Sequence, residues 1–387
     1  MTDAARSQDL HRILKRAVDS RDVPFVVAMV ARGDAVLFQS AAGQATPGQP
    51  AALDTMFRLF SMSKAIGALA AMILIDRGVV AMTTPVEELL PHWADLQVLA
   101  GFDNGRPVLR PAKTKATLRH LATHTSGLEY EFWNPDMRAF MAATGLRTIM
   151  SGTKPALMAP LMTDPGTGWG YGQGIDWLGQ VVEAVDGRSI DEFCRQEIFE
   201  PLKMASTRFE PEAGQGRLAA VQARAESGDF QPYRLNPPAQ PEFYGMGHAL
   251  FGTAPDYVRF LRMILNGGLL DGVRLLSPQA CAEFCADQMQ GLVFRPMRSQ
   301  VPHISADVDL FPGQRVTHSF GFLRVDQDVP GKRRAGSLGW AGICNTHFWI
   351  DPRADVAGVF MTQSLPFAEA RAMKAFDAFE RGVYAGL

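Results

Sequence analysis

A basic excess is missing from this chain. Lys and Arg number 38 against 40 Asp and Glu, for a formal charge of −2. With no surplus of cations to neutralise phosphates, a nucleic-acid partner is not expected. Cysteine is also scarce. The four residues Cys194, Cys281, Cys285 and Cys344 contain no C-x-x-C pair, so neither a disulfide framework nor a thiolate metal site is indicated, and reduced thiols in a cytoplasmic protein are the expectation. No apolar run is long enough to span a bilayer. The first ten residues carry no apolar core of a secretory signal, so no membrane partner is expected either. Two catalytic signatures are absent as well. No serine sits in G-x-S-x-G, and there is no H-E-x-x-H. His120 and His124 stand four apart but lack a third ligand, and no metal or other cofactor is expected.

What is present is an ordinary globular composition, 47% apolar and 20% charged, over a length that suits one large or two intimate domains. Residues 7–19 have the apolar spacing of an amphipathic helix. Pro24 to Ala31 and Ala35 to Ser40 read as strands joined at Arg32-Gly33-Asp34, and Gly43 to Pro50 reads as a loop. From residue 79 to about 240 strand signals are sparse. Helices are expected over Leu118–Thr123 and Ile175–Val185, and from a capping box at Ser189 to Phe199, with a long loop over 211–240. Thr253 and Ser277 start two more helices. Strands follow over Ser319–Val325, Ser337–Trp340, Cys344–Ile350 and Asp355–Thr362, with a last helix from about Phe367 to Tyr384. The pattern suggests one mixed sheet built from 1–80 and 245–387, with a mostly helical domain, 81–244, inserted between.

One stretch carries chemistry. In Phe57-Arg58-Leu59-Phe60-Ser61-Met62-Ser63-Lys64, the apolar residues Met62, Ile66, Leu69 and Ile73 recur at helical spacing. Residues three apart on a helix are neighbours, so Ser61 and Lys64 point to one spot. A serine hydroxyl needs a base to become a nucleophile, and a desolvated lysine can serve. A second S-x-x-K, Ser151 to Lys154, contains Gly152 and precedes Pro155, which turns Lys154 away from helical geometry. The glycine-rich Gly168–Gly174 lacks the ending of a phosphate loop and reads as a tight loop bringing Tyr171 close to another group.

Four segments together resemble the class C β-lactamases and their esterase relatives. Besides the Ser61 segment, these are Leu121-Ala122-Thr123-His124-Thr125-Ser126-Gly127-Leu128, Asp164-Pro165-Gly166-Thr167-Gly168-Trp169-Gly170-Tyr171, and Gly252-Thr253-Ala254-Pro255-Asp256-Tyr257. The nearest resemblance is to the family VIII carboxylesterases. It implies an α+β fold, with a central antiparallel sheet flanked by helices and a helical insertion. It further implies an acyl-enzyme at Ser61, Lys64 and Tyr171 sharing the proton, and an oxyanion hole from the backbone N–H groups of Ser61 and Ile343. Gln173, Trp340, Gly342 and His248 are the candidate pocket residues. Two departures separate the branches. Gln173 stands where β-lactamases have the Asn of Y-x-N, and Trp340-Ala341-Gly342 stands in place of K-T-G. Trp340 offers a neutral ester an apolar face where a lysine would engage a carboxylate. The expected substrate is a small ester, and a homo-oligomer is compatible with everything above. An amide-directed relative (a β-lactamase, a D-amino-acid peptidase or an amide-oligomer hydrolase) and a non-catalytic binding protein are the alternatives.

Overall fold

A computed structural model describes residues 3–211 and 216–387. Helix α1 (Asp3–Asp19) leads into the hairpin of β1 (Phe25–Ala31) and β2 (Val36–Thr46), and Gln49–Pro50 adds a short β3. The nucleophile segment continues as α2 (Ser63–Asp76), and α3 (Gly174–Asp186) and α4 (Ala254–Leu265) follow. The chain then returns to the sheet through β4 (Val316–His318), β5 (Leu323–Val325), β6 (Ser337–Gly342), β7 (Thr346–Asp351) and β8 (Val356–Met361), and closes with α5 (Ala370–Ala385). The eight strands form one sheet in the order β4-β5-β6-β7-β8-β1-β2-β3.

Every pairing in this sheet is antiparallel, including the join of the two chain ends, where Val27 faces Met361. The mixed sheet expected from the pattern is thus corrected. The Gly43–Pro50 loop is corrected too. Gly43 lies opposite Phe25 inside a strand that runs to Thr46. Its φ of +85° and the Phe25 backbone 2.8 Å from where a Cβ would sit explain a glycine that reads as a turn from sequence alone. Two other hairpins escape the pattern, 98–103 with 106–110 and 222–224 with 230–232. The second breaks up the expected 211–240 loop, of which 212–215 lie outside the described residues. The helix at Ile190 forms, but Ser189 makes no side-chain cap; the Glu183 carboxylate takes the Ile190 N–H at 2.9 Å instead.

The sheet is covered on both faces, so β1 is buried at all seven positions. Its residues divide between two cores with period two, as a pleated strand requires. Val26, Ala28 and Val30 pack with Leu14, Trp349, Phe376 and Phe379 under α1 and α5. Phe25, Val27 and Met29 join the larger core, which holds α2, α3 and α4. That core also takes in Leu118, Leu121, Trp177 and Phe193, so the helical 81–244 segment shares its interior with the sheet. Gly67 of α2 sets the closeness of that seam. A Cβ there would lie 2.7 Å from Met246 and 3.0 Å from Ile175. No helix of the described residues is long and apolar enough to cross a membrane.

Gly358 of β8 lies under the Trp349 indole, whose ring atoms stand 2.3 to 2.7 Å from a would-be Cβ. Gly358→Ala is therefore expected to destabilise the fold by about 1–3 kcal/mol through overpacking, read as a lowered urea midpoint. An unchanged midpoint would mean the indole is free to move.

Candidate active site

Ser61 sits on a single 3-10 turn, Phe60–Met62, that runs into α2. Phe60 has φ +44°, a left-handed conformation costly for an aromatic residue. The neighbouring structure holds it there. Phe57 and Arg58 pair with Phe251 and Gly252, the Tyr257 hydroxyl donates to the Met62 carbonyl at 2.9 Å, and the Leu250 N–H donates to the Ser63 hydroxyl at 3.1 Å. Gly342 fixes the third side. A Cβ on it would lie 2.4 Å from the Leu59 carbonyl oxygen, so only a glycine lets the end of β6 press against the turn. Ser61 and Ile343 then line one cavity of about 120 Å³.

Lys64 is 1% exposed. Its ammonium reaches the Ser61 hydroxyl at 3.1 Å and donates to the Gly247 carbonyl at 2.8 Å. It lies 4.9 Å from the centre of the Tyr171 ring and 5.2 Å from that of Tyr130. Tyr171 is buried on the loop before α3, and its carbonyl accepts the Tyr130 N–H at 2.9 Å. Its hydroxyl accepts the Trp340 indole N–H at 3.0 Å, with the rings 4.9 Å apart. Trp340 lines the cavity, and beyond the apolar face expected of it the indole N–H ties down the tyrosine.

The remaining sequence candidates divide. His248 lines the same cavity, 3.5 Å from the Asp176 carboxylate. Burial lowers its pKa, the Asp176 charge opposes that shift, and Lys64 adds to it. Gln173 is placed elsewhere. Its amide donates to the Leu157 carbonyl at 3.0 Å, holding a neighbouring segment, and it is not part of the cavity wall. Gly342 is likewise a packing position behind the wall. The second S-x-x-K is not assembled. Gly152 has φ +65°, the Ser151 hydroxyl pairs with Thr153, and the Lys154 N–H goes to Glu242.

Two residues of this site are missed by sequence reasoning. Asp176, in the first turn of α3, is fully buried, accepts the Gly247 N–H at 2.8 Å and lies 3.5 Å from the Tyr130 hydroxyl. A Cβ at Gly245 or Gly247 would fall 2.6 Å from its carboxylate. The Gly-x-Gly spacing before His248 was the available signal, and it names no partner. Tyr130, three residues after Gly127, lines the cavity and has its pKa raised well above the usual value, first by burial and then by Asp176. The other walls are apolar, among them Met150, Met297, Ile304 and Phe367. Among the described residues no cluster of His, Cys, Asp and Glu could hold a metal.

A strained turn delivering a serine to a buried lysine, facing a tyrosine across an apolar cavity, defines a serine-hydrolase type of enzyme on a β-lactamase fold. The Beta-lactamase family profile matches residues 10–381, and the chain belongs to that family. It is 30% identical to monacolin J acid methylbutanoyltransferase of Aspergillus terreus over 99% of this chain and 98% of the relative. It is also 30% identical to a lovastatin esterase of Penicillium rubens, over 82% of each chain. Among solved structures, unliganded simvastatin synthase (LovD) of Aspergillus terreus superposes with a TM-score of 0.85. That match is at 27% identity and covers 98% of both chains.

Behind Tyr171 lie two buried histidines, His124 and His318, with ring centres 5.2 Å apart. Burial is the first cause that drives both pKa values down, to about 3 for His318 and well below the usual value for His124. Each is thus neutral when folded and gains a proton when unfolded. Below about pH 6.5 the unfolded chain binds more protons, so stability falls as pH drops from there toward 3 and is flat above. Each such histidine contributes up to about 1.4 kcal/mol per pH unit in that window. Urea unfolding at pH 7.5 and 5.0 is expected to show a clear loss at the lower pH, smaller in His318→Gln. Equal pH dependence in the two proteins would remove His318 from the account.

Proposed function

We propose that the protein is a serine carboxylesterase acting on small or short-acyl esters. The observation that carries this reading is the 3.1 Å contact between Lys64 Nζ and the Ser61 hydroxyl at the edge of an apolar cavity. In this reading Lys64, as the neutral amine, and Tyr171 take the Ser61 proton as Oγ attacks the ester carbonyl. The oxyanion formed there is met by the backbone N–H groups of Ser61 and Ile343, donors of a kind usually contributing about 3 kcal/mol each. The same pair then returns the proton to the departing alcohol, leaving an acyl group on Ser61. Water, deprotonated by the pair, cleaves that acyl-enzyme and restores the serine. The Trp340 N–H fixes the Tyr171 oxygen throughout, and Asp176, by holding the Gly247 N–H, positions the residue whose carbonyl accepts from Lys64.

A second reading has an alcohol in place of water in the last step, which makes the protein an acyltransferase. It is supported by the relative that is named a methylbutanoyltransferase and matches nearly the whole chain; the relative named an esterase supports hydrolysis. A β-lactam is disfavoured because Trp340-Ala341-Gly342 presents no lysine to a substrate carboxylate. Four unpaired cysteines suit a reducing compartment, and we place the protein in the cytoplasm with no macromolecular substrate.

Release of p-nitrophenol from p-nitrophenyl butyrate tests the reading. Ser61→Ala is expected to lower kcat/KM by about 10⁴-fold or more, and Tyr171→Phe by about 10²- to 10⁴-fold. Trp340→Phe, which keeps the apolar face and removes the N–H, is expected to cost about tenfold in kcat, the size of one hydrogen bond. Undiminished hydrolysis by Ser61→Ala would overturn the mechanism, and efficient nitrocefin turnover would favour the amide-directed alternative. Adding small alcohols and measuring ester product against free acid separates transfer from hydrolysis.

A further inference from the structure

A second cavity, about 240 Å³, lies around the edge of β6 from the first. Trp340 and Ala341 belong to both walls, but the second cavity opens on the α5 side of the sheet. Its floor is apolar, with Phe311, Phe376 and Met373, and the cations Lys332 and Arg333 line it beside His347.

Arg333 is 4% exposed and lies 5.2 Å from the Phe311 ring centre and 5.9 Å from those of Phe376 and Trp349. Its Nε donates to the buried Glu380 carboxylate. Among the described residues its two terminal nitrogens have no protein acceptor. Gly339 makes room for one of them: a Cβ there would stand 2.8 Å from Nη1. Lys332 also pairs with Glu380, at 2.9 Å, so two cations meet one deeply buried carboxylate. Beside them His347 is 3% exposed, and its Nε2 has no hydrogen-bond partner. Burial and the charges of Arg333 and Lys332 hold His347 neutral, with a pKa down to about 3.

Lys332 also serves Asp377, so the Arg333 edge is the feature to be explained: a pair that served stability alone would turn no donors toward a cavity, because unpaired donors are costly. The rim limits what can enter. Asp307 is held by Arg298 at 2.6 Å, and Asp377 by Lys332 at 3.0 Å and Arg381 at 2.8 Å. Asp309 also lines the opening. These carboxylates repel any anion, and a multiply charged one most.

We propose that this cavity is a binding site for a small organic monocarboxylate. Its carboxylate is held by the free edge of the Arg333 guanidinium, and its apolar body lies against Phe311, Phe376 and Met373. A planar guanidinium meets a carboxylate with two parallel hydrogen bonds. The site is independent of the chemistry at Ser61.

Isothermal titration of the full-length protein with benzoate, benzamide and inorganic phosphate tests this. Benzoate is expected to bind with a Kd of about 1 mM or tighter, and benzamide and phosphate at least tenfold more weakly. Arg333→Gln should lower benzoate affinity at least tenfold. Because that change leaves Glu380 with one partner fewer and can unfold the protein, Met373→Trp, which fills the cavity and keeps the ion pairs, provides the second measurement and should lower affinity equally. Met297→Trp, which fills the first cavity, should not. Equal binding of benzoate and benzamide, phosphate binding as tight as benzoate, or loss of benzoate binding in Met297→Trp but not in Met373→Trp each overturn the proposal.

Discussion

A buried amine must be hydrogen-bonded, and the site is arranged around meeting that demand at Lys64. Its two close oxygens are the Ser61 hydroxyl and the Gly247 carbonyl. Neither position is free to drift. Ser61 is held on a turn clamped between β6 and the Leu250–Tyr257 segment. Gly247 is held because its own N–H is taken by Asp176, which α3 presents from the helical layer. The lysine thus joins α2 to α3 through a single residue, Gly247. Loss of either oxygen would leave an ammonium buried without sufficient partners, a cost of several kcal/mol.

The same demand explains the glycines around the site. Gly245 and Gly247 admit the Asp176 carboxylate, Gly342 admits the Leu59 carbonyl, and Gly67 admits Met246. Each replaces a side chain with the close approach of a carboxylate, a backbone oxygen or, at Gly67, a neighbouring apolar side chain. They set distances, and those distances make Ser61, Lys64, Tyr171 and Trp340 into one unit.

Much of this was legible beforehand, and the limits have physical causes. The Ser61–Lys64 contact is local, three residues on one helical turn, so spacing alone places it. The apolar runs of β1 and β6–β8, bounded by turn residues, locate the sheet, and helices with capping residues, such as Thr253 before α4, are placed to within a residue or two. Asp176 was invisible because its partners, Gly247 and Tyr130, are 71 and 46 residues away. Gln173 was read as a pocket residue because it stands where the resemblance has the Asn of Y-x-N, but its amide points to Leu157. The glycine at position 43 looked like a turn and proved to be a strand residue under close contact. Sequence pattern reports what a segment does locally; it is silent about which distant backbone needs the space.

The joining of both chain ends in one sheet has a consequence for biosynthesis. Arg58 and Gln363, which hydrogen-bond to one another beside the nucleophile turn, are separated by 305 residues. β1 finds one of its two neighbours only when β8 has been made. Contacts so distant along the chain are slow to form, and the apolar strands that await them stay exposed meanwhile. Ser61 and Lys64 leave the ribosome early, as ordinary residues of a solvated helix, and become a site only when the last strands arrive. The central strand of the nascent chain therefore depends on protection from aggregation until translation is nearly complete.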